Sequence, residues 1–409
     1  MRRQRTRGLR PFGFALAVVA LTAAPALPAS AARGIGFGTP VVAIPRCDSS
    51  GRTFGLSLAR DTCYEPTVAV DQKGRIFVTD GFGEALAVSG DSGHRFAVLP
   101  APPAPTGDVE LLGDAIVQTD PRGRLVFSNI YTSGIQVAIS STGGRTWDSN
   151  VLVGAGPVSL APAPDRQWVA FGPRGAVYVV WHTPATPAVW SATSHDGGRS
   201  FSPPEPFLGA TDVFDMGPPV VDRAGRVYVP VILGSPLSPS AVAVAVSPSG
   251  VGTGSFVLQQ VSAELSDFFP IAAVSRRGQV AVAWRGSADD GRRVVHVASS
   301  RDRGHTWSPP VAWSTSNATS SPWIDFRDDR AIDVMWFGVV SPGATARLVL
   351  SRGPAAGRPA TSGVVDEVPA SPGSRSEANT DYAHFAKLKD GRVVAVWCDS
   401  IVWIAVEAR

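Results

Sequence analysis

Ser194 to Phe201 reads SHDGGRSF, and three other stretches spell the same turn: Ser89 to Phe96 (SGDSGHRF), Ser140 to Trp147 (SSTGGRTW) and Ser300 to Trp307 (SRDRGHTW). Their common pattern is Ser-x-Asp-x-Gly-x-x-Trp/Phe, with Thr142 replacing the Asp in one copy. The starts lie 51, 54 and 106 residues apart, the last being two periods of 53. A turn returning at this interval marks a ring of repeated β-sheets, one blade per repeat.

Working outward from the turn, each repeat carries a second feature: a strand, a tight turn and another strand. It occurs seven times: Glu65 to Asp80, Asp114 to Asn129, Arg166 to Trp181, Met216 to Val231, Phe269 to Trp284, Ser321 to Trp336 and Tyr382 to Trp397. Each unit then continues into a third strand, the Ser-Asp-Gly turn or a degraded copy of it, and a fourth strand. Units four and six have lost the turn, reading SPSGVGTGSF from Ser247 and SRGPAAGRPA from Ser351. Valine-rich alternating runs, 42 Gly and 35 Pro argue for an all-β chain. The seventh unit ends after its third strand, so its outer strand must come from elsewhere. Phe37 to Pro45 (FGTPVVAIP) has the length and β-character to supply it, closing the ring with an N-terminal strand and leaving no long exposed edge between the first and last blades.

The repeated turn resembles the Asp-box of the bacterial neuraminidase (sialidase) repeat proteins, over nearly the whole mature chain. The resemblance implies a sialidase-type propeller, for which six blades is the alternative to the seven counted from the repeats. The turn itself has a mechanical explanation. Its Ser and Asp can bond backbone groups, its Gly supports a positive φ, and its aromatic residue packs between sheets. In related sialidases these turns lie opposite the active site, so no Asp-box carboxylate is assigned to chemistry. The Trp that recurs at the end of the second strand, as Trp181, Trp284, Trp336 and Trp397, reads as inter-blade packing.

Propeller ligands meet the loops that enter the innermost strand. The alignment puts Glu65, Asp114, Arg166, Met216, Phe269, Ser321 and Tyr382 at one equivalent position there, preceded by Tyr64, Gly113, Asp165, Asp215, Phe268, Ser320 and Asp381. Tyr382, Glu65, Asp114 and Arg166 therefore fall on blades seven, one, two and three, a one-sided polar cluster. The sialidase resemblance is closest at Tyr382, where Tyr382, Phe385, Leu388, Asp390-Gly391 and Val393 resemble the strand that carries a nucleophilic Tyr. It implies Tyr382 as nucleophile, a carboxylate such as Glu65 or Glu377 as its base, Asp114 or Asp215 as acid, and Arg166, Arg285 and Arg375 as substrate-binding groups. The departures are specific: Ile44-Pro45-Arg46 has the wrong order for the Arg-Ile-Pro motif of that family. Unit seven's turn comes 61 residues after that of unit six, against 49 to 53 elsewhere, and the added length includes Val368 to Asp381.

The expected function is carbohydrate recognition, with exo-sialidase-type glycoside hydrolysis as its enzymatic form. Two other readings stay open: a non-catalytic propeller binding a protein or cell-envelope polymer, and a carboxylate-pair glycosidase. The expected partner is a glycan or glycoconjugate met by a monomer. No cofactor and no dedicated metal site are indicated.

At the N-terminus, Arg2, Arg3, Arg5, Arg7 and Arg10 precede an apolar run from Phe14 to Leu21 and an Ala29-Ser30-Ala31 triplet, the pattern of a secretory signal peptide over residues 1–31. The run is too short for a convincing membrane span. Residues 32–409 are then a single, secreted domain. Removing the five arginines takes the formal charge from +3 to −2, which leaves a nucleic-acid partner without electrostatic support. Export permits disulfides, but three cysteines, Cys47, Cys63 and Cys398, cannot all pair, and spacing does not choose among the pairings.

Overall fold

A computed structural model of the protein describes residues 34–45, 63–105, 111–154, 164–183, 188–208, 213–235, 238–251, 256–264, 266, 268–339, 345–368, 382–398 and 401–409. Strand β1 is Val41–Ile44. Blade 1 follows as β2 (Thr67–Val70), β3 (Ile76–Thr79), β4 (Ala85–Ser89) and β5 (Ala97–Pro100). Blade 2 is β6 (Leu111–Thr119), β7 (Leu125–Tyr131), β8 (Gly134–Ser140) and β9 (Ser149–Val153). Blade 3 is β10 (Asp165–Phe171), β11 (Val177–Thr183), β12 (Ala188–Ser194) and β13 (Glu205–Leu208). In blade 4 the inner position is shared by β14 (Val213–Met216) and β15 (Val220–Val221), followed by β16 (Val227–Ser235), β17 (Ser238–Ser247) and β18 (Val257–Ser262). Blade 5 is β19 (Ile271–Val274), β20 (Val280–Ser287), β21 (Arg293–Ser300) and β22 (Val311–Ala312). Blade 6 again splits its inner position, into β23 (Asn317–Ala318) and β24 (Trp323–Phe326), before β25 (Ala331–Val339), β26 (Ala346–Pro354) and β27 (Thr361–Val368). Blade 7 is β28 (His384–Lys387), β29 (Val393–Cys398) and β30 (Val402–Val406).

Every sheet is an antiparallel meander, so the chain forms a seven-bladed β-propeller. The fourth strand of blade 7 is β1, paired antiparallel to β30 through Val41 with Ile404 and Val42 with Trp403. The N-terminal strand thus closes the ring as the sequence predicts. Ala43 and Ile44 bury their side chains with Val68, Ile76, Val394 and Ile404, so the closing strand is also glued into the core between blades 7 and 1.

The Asp-boxes hold the blades to one another. In each, the first Ser accepts a hydrogen bond from the Gly four residues on: Gly93, Gly144, Gly198 and Gly304 donate to Ser89, Ser140, Ser194 and Ser300 at 2.7 to 3.0 Å. All four glycines have φ between 86° and 89°. A Cβ at these glycines would meet Ile404, Leu86, Ile139 and Val246 respectively, each on the third strand of the preceding blade. Glycine is therefore required twice, by backbone conformation and by close approach of the next sheet. Thr142, the residue in the Asp position of the second box, accepts the Thr146 N–H at 2.9 Å, as Asp302 accepts that of Thr306 at 2.8 Å. A hydroxyl replaces the carboxylate because the task is a turn.

The recurring Trp residues are core: Trp181, Trp284, Trp336 and Trp397 are between 0% and 5% exposed. Cys63 is disulfide-bonded and Cys398 is a buried thiol; Cys47 lies outside the described residues, as do residues 1–33. Among the described residues no helix is long and apolar enough to cross a membrane.

Candidate functional site

The inner strands all start at the end of the propeller opposite the Asp-boxes, since an antiparallel meander places the first strand's start and the third turn at opposite rims. At that rim Glu65, Asp114 and Arg166, equivalent in the alignment, share a feature rare outside glycine: their φ angles are 44°, 57° and 49°. Pairing shifts register at the same place, between Gly113 and Ile116 on β6 and between Asp165 and Trp168 on β10. A third shift lies between Val213 and Asp215 on β14. Such bulges break the strict alternation of side chains, so adjacent residues can serve one site.

The centre of the rim is an ion pair. Arg166 Nη1 and Nη2 donate to Glu65 Oε2 and Oε1 at 2.6 and 2.9 Å, a bidentate contact between two buried side chains on blades 3 and 1. Burial opposes the charge on Arg166, but Asp114 and Glu65 hold its pKa well above the ordinary arginine value. Desolvation raises the pKa of Asp114, opposed by Arg166 and reinforced by Glu65, with the neighbouring Asp165 carboxyl pulling it down. Desolvation likewise pushes Asp215 up to about 7, while its carboxylate accepts the Met216 N–H at 2.7 Å.

Tyr64 straps blade 1 to blade 2. Its hydroxyl accepts the Asp114 N–H at 3.1 Å, its carbonyl accepts the Gly81 N–H at 2.7 Å, and its ring meets Phe82 edge-on at 4.5 Å. A Cβ at Gly113 would strike the Tyr64 hydroxyl, so glycine is needed there to let the tyrosine reach the rim backbone. Burial, then Asp114 and Glu65, raises the Tyr64 pKa well above its ordinary value, keeping the phenol neutral.

Tyr382 lies beside this cluster on blade 7. It is 2% exposed, and its hydroxyl donates to the backbone carbonyl of Glu65 at 3.4 Å. Its ring belongs to an aromatic cluster with Trp168, Phe269, Trp323 and His384, at centroid separations of 5.6 to 6.2 Å. The Arg166 guanidinium sits 5.5 Å from the same ring, a cation–π distance. Trp323 and His384 also line a cavity of about 600 Å³ along the inner strands, so the aromatic cluster stands between the rim and that cavity.

Of the residues proposed from sequence, Glu65, Asp114, Arg166, Tyr382 and Asp215 converge on blades 7 and 1 to 4. Arg285 is engaged elsewhere: on β20 it donates to the Thr319 carbonyl at 2.7 Å and lies 4.2 Å over the Phe268 ring. Arg375 and Glu377 lie outside the described residues. Sequence reasoning assigned no role to Tyr64, Asp165 or His182. Two of these sit one position before the aligned column and the third one position after a recurring Trp; for Asp165 and His182, the bulge on β10 sets them apart from the regular pairing that resumes at Trp168. Among the described residues no group of three His, Cys, Asp or Glu side chains could hold a metal ion.

No protein-family model matches the chain, and no curated protein does. Solved structures similar to it include a polysaccharide lyase of family PL25, an ulvan lyase bound to -[GlcA(1-4)Rha3S]-, at 11% identity over 85% of this chain and 94% of that one, TM-score 0.56. YCF48 bound to D1 peptide is similar at 11% identity over 91% and 97%, TM-score 0.52. The Hadza microbial sialidase Hz136 matches at 13% identity over 82% and 73%, TM-score 0.49. The class these comparisons and the geometry define is the β-propeller. Within it, this chain is a seven-bladed example with a charged rim on blades 1 to 4.

Proposed function

We propose that the protein is a secreted carbohydrate-recognising propeller whose ligand sits on the rim of blades 7 and 1 to 4. The observation that carries this reading is the trio Glu65, Asp114 and Arg166, three non-glycine residues in the left-handed region at one position of three consecutive blades. Strain of about 1 to 3 kcal/mol per residue persists where surrounding structure enforces it, and it gathers at functional sites. Here it gathers carboxyls, a guanidinium, a phenol and an imidazole, a donor and acceptor set suited to a hydroxyl-rich ligand. The ulvan lyase among its structural neighbours acts, by its name, on a polysaccharide, which fits the reading.

The ion pair shapes the chemistry. Glu65 neutralises Arg166, so the guanidinium is not a ready clamp for a ligand carboxylate. Hydrolysis of the exo-sialidase type would need a carboxylate to take the Tyr382 proton, and the Glu65 carboxylate reaches that role only if its contact with Arg166 opens. Carboxylate-pair hydrolysis needs two acids about 5 to 10 Å apart. Asp114 is a rim carboxyl whose pKa burial raises, the direction a general acid needs.

A panel of soluble oligosaccharides tests the reading by calorimetry on the mature chain. Binding by the wild type that Asp114→Asn or Arg166→Lys weakens about tenfold or more, a change of roughly 1.4 kcal/mol, supports it. No binding to any sugar, with capture of a peptide instead, overturns it in favour of a protein-binding propeller of the kind YCF48 represents. A fluorogenic sialoside given to the wild type and to Tyr382→Phe decides the enzymatic form: release lost in the variant assigns the nucleophile, and equal release removes Tyr382 from the chemistry.

A further inference from the structure

We propose that the Asp-box end of the propeller carries a second binding site, built by the turns between the inner and second strands of blades 2, 3 and 4, for a small ligand bearing a sulfate or phosphate ester. The site lies at the opposite end of the ring from the blade 1 to 4 rim and does not depend on the reading of that rim. Its residues belong to these strand turns and not to the Asp-boxes.

In blades 1, 2 and 4 the turns follow one rule. Asp71, Asp120 and Asp222 each accept the backbone N–H groups two and four residues on, at 2.8 to 2.9 Å. Each also faces the arginine four residues on: Arg75 at 2.6 Å, Arg124 at 2.7 Å and Arg226 at 3.8 Å. Every one of these carboxylates therefore has its own guanidinium. Blade 3 breaks the rule at both positions, with Gly172 in place of the Asp and Ala176 in place of the Arg. A Cβ at Gly172 would strike the Tyr178 hydroxyl, so a neutral phenol takes the space of the missing carboxylate. In blade 4 the equivalent hydroxyl, that of Tyr228, donates to Asp222 at 3.3 Å. Without the Asp, the blade 3 turn closes one residue later, with the Ala176 N–H donating to the Pro173 carbonyl at 3.2 Å. Arg174 is driven into the left-handed region at φ 60°, which Lys73, Arg122 and Ala224 at the same turn position avoid.

The lost pair leaves a cavity of about 420 Å³ between the three turns. Arg122, Arg174 and Arg223 line it and are exposed, and among the described residues none of their guanidinium groups has an ion pair or a hydrogen bond. Arg122 reaches across the gap between blades, since a Cβ at Gly175 would meet its guanidinium. The carboxylates lining the same cavity, Asp120 and Asp222, are already engaged by Arg124 and Arg226. Three uncompensated positive charges from three consecutive blades thus face one cavity. Like charges repel, and an anion between them lowers that energy. Guanidinium forks match the oxygens of sulfate and phosphate, and Pro121, Phe171 and Pro173 provide a wall for the uncharged body of the ligand.

Calorimetry on the mature chain at fixed ionic strength tests this with glucose 6-sulfate, glucose 6-phosphate and, as the uncharged control, glucose. Both esters are expected to bind at least about tenfold more tightly than glucose, and the tighter of the two names the natural group. Combining Arg122→Gln, Arg174→Asn and Arg223→Gln should remove that advantage at unchanged melting temperature; Asn tolerates the left-handed position. Arg174→Asn alone should weaken ester binding about threefold or more, whereas Arg95→Gln, which removes one charge from the first Asp-box, should not. Esters that bind no better than glucose overturn the inference, as does a triple variant that binds like the wild type. An equal loss in Arg95→Gln also overturns it, by showing diffuse attraction and no site. Asp114→Asn on the opposite rim should leave ester affinity unchanged; a loss there would move the ester to that rim and overturn the second site.

Discussion

Glu65 and Arg166 illustrate how much of this rim depends on one contact. A buried guanidinium without its counter-charge is expensive, typically about 3 to 5 kcal/mol when one partner is removed. Glu65→Gln should therefore lower the unfolding free energy by about that amount in urea titrations, and a loss below about 1 kcal/mol would place the pair in effective contact with water. Asp215 tests the same electrostatics by pH. Its carboxyl is pushed up to about 7 from the usual 3.8, so the folded protein keeps a proton that the unfolded chain releases. Stability from this group falls as pH rises from about 4 to about 7. Asp215→Asn should flatten the decline in melting temperature over that window, and an unaltered slope would contradict the burial-driven shift.

The elements separate mechanical from chemical roles. Gly144 of the second Asp-box needs its φ of 86° and leaves no room for a Cβ against Leu86. Gly144→Ala should destabilise by about 2 kcal/mol or more, through a forbidden conformation and overpacking together, while oligosaccharide affinity stays unchanged. A loss of affinity at constant stability would give the Asp-box rim a binding role. This separation was legible in the sequence, because Thr142 in an otherwise intact box already argues against a carboxylate requirement. Tyr382 was legible only in part. Its repeat position marks the rim, but the hydroxyl's partner, the Glu65 carbonyl 317 residues away, depends on how blade 7 meets blade 1.

For the whole molecule, stability depends on closure. Seven sheets in a ring leave no long edge between the first and last, provided β1 stays on β30. Deleting residues 34–45 should expose the β30 edge and empty the space filled by Ala43 and Ile44. The expected outcome is a lower melting temperature with concentration-dependent association in light scattering; a stable monomer would show that three strands suffice for blade 7.

The sequence by itself determined the all-β class, the seven units, the use of the N-terminal strand and the rim on which Glu65, Asp114 and Arg166 lie. These follow from periodicity, which is written locally and repeats often enough to be counted. Only the tertiary structure decided which side chains meet. It pairs Arg166 with Glu65 across the blade between them, hands Arg285 to Thr319 and Phe268, and sets Asp165 beside His182. The physical reason is that each contact joins residues of different strands or blades, and on β10 a bulge set by pairing with β11 also reverses which face the following side chains take.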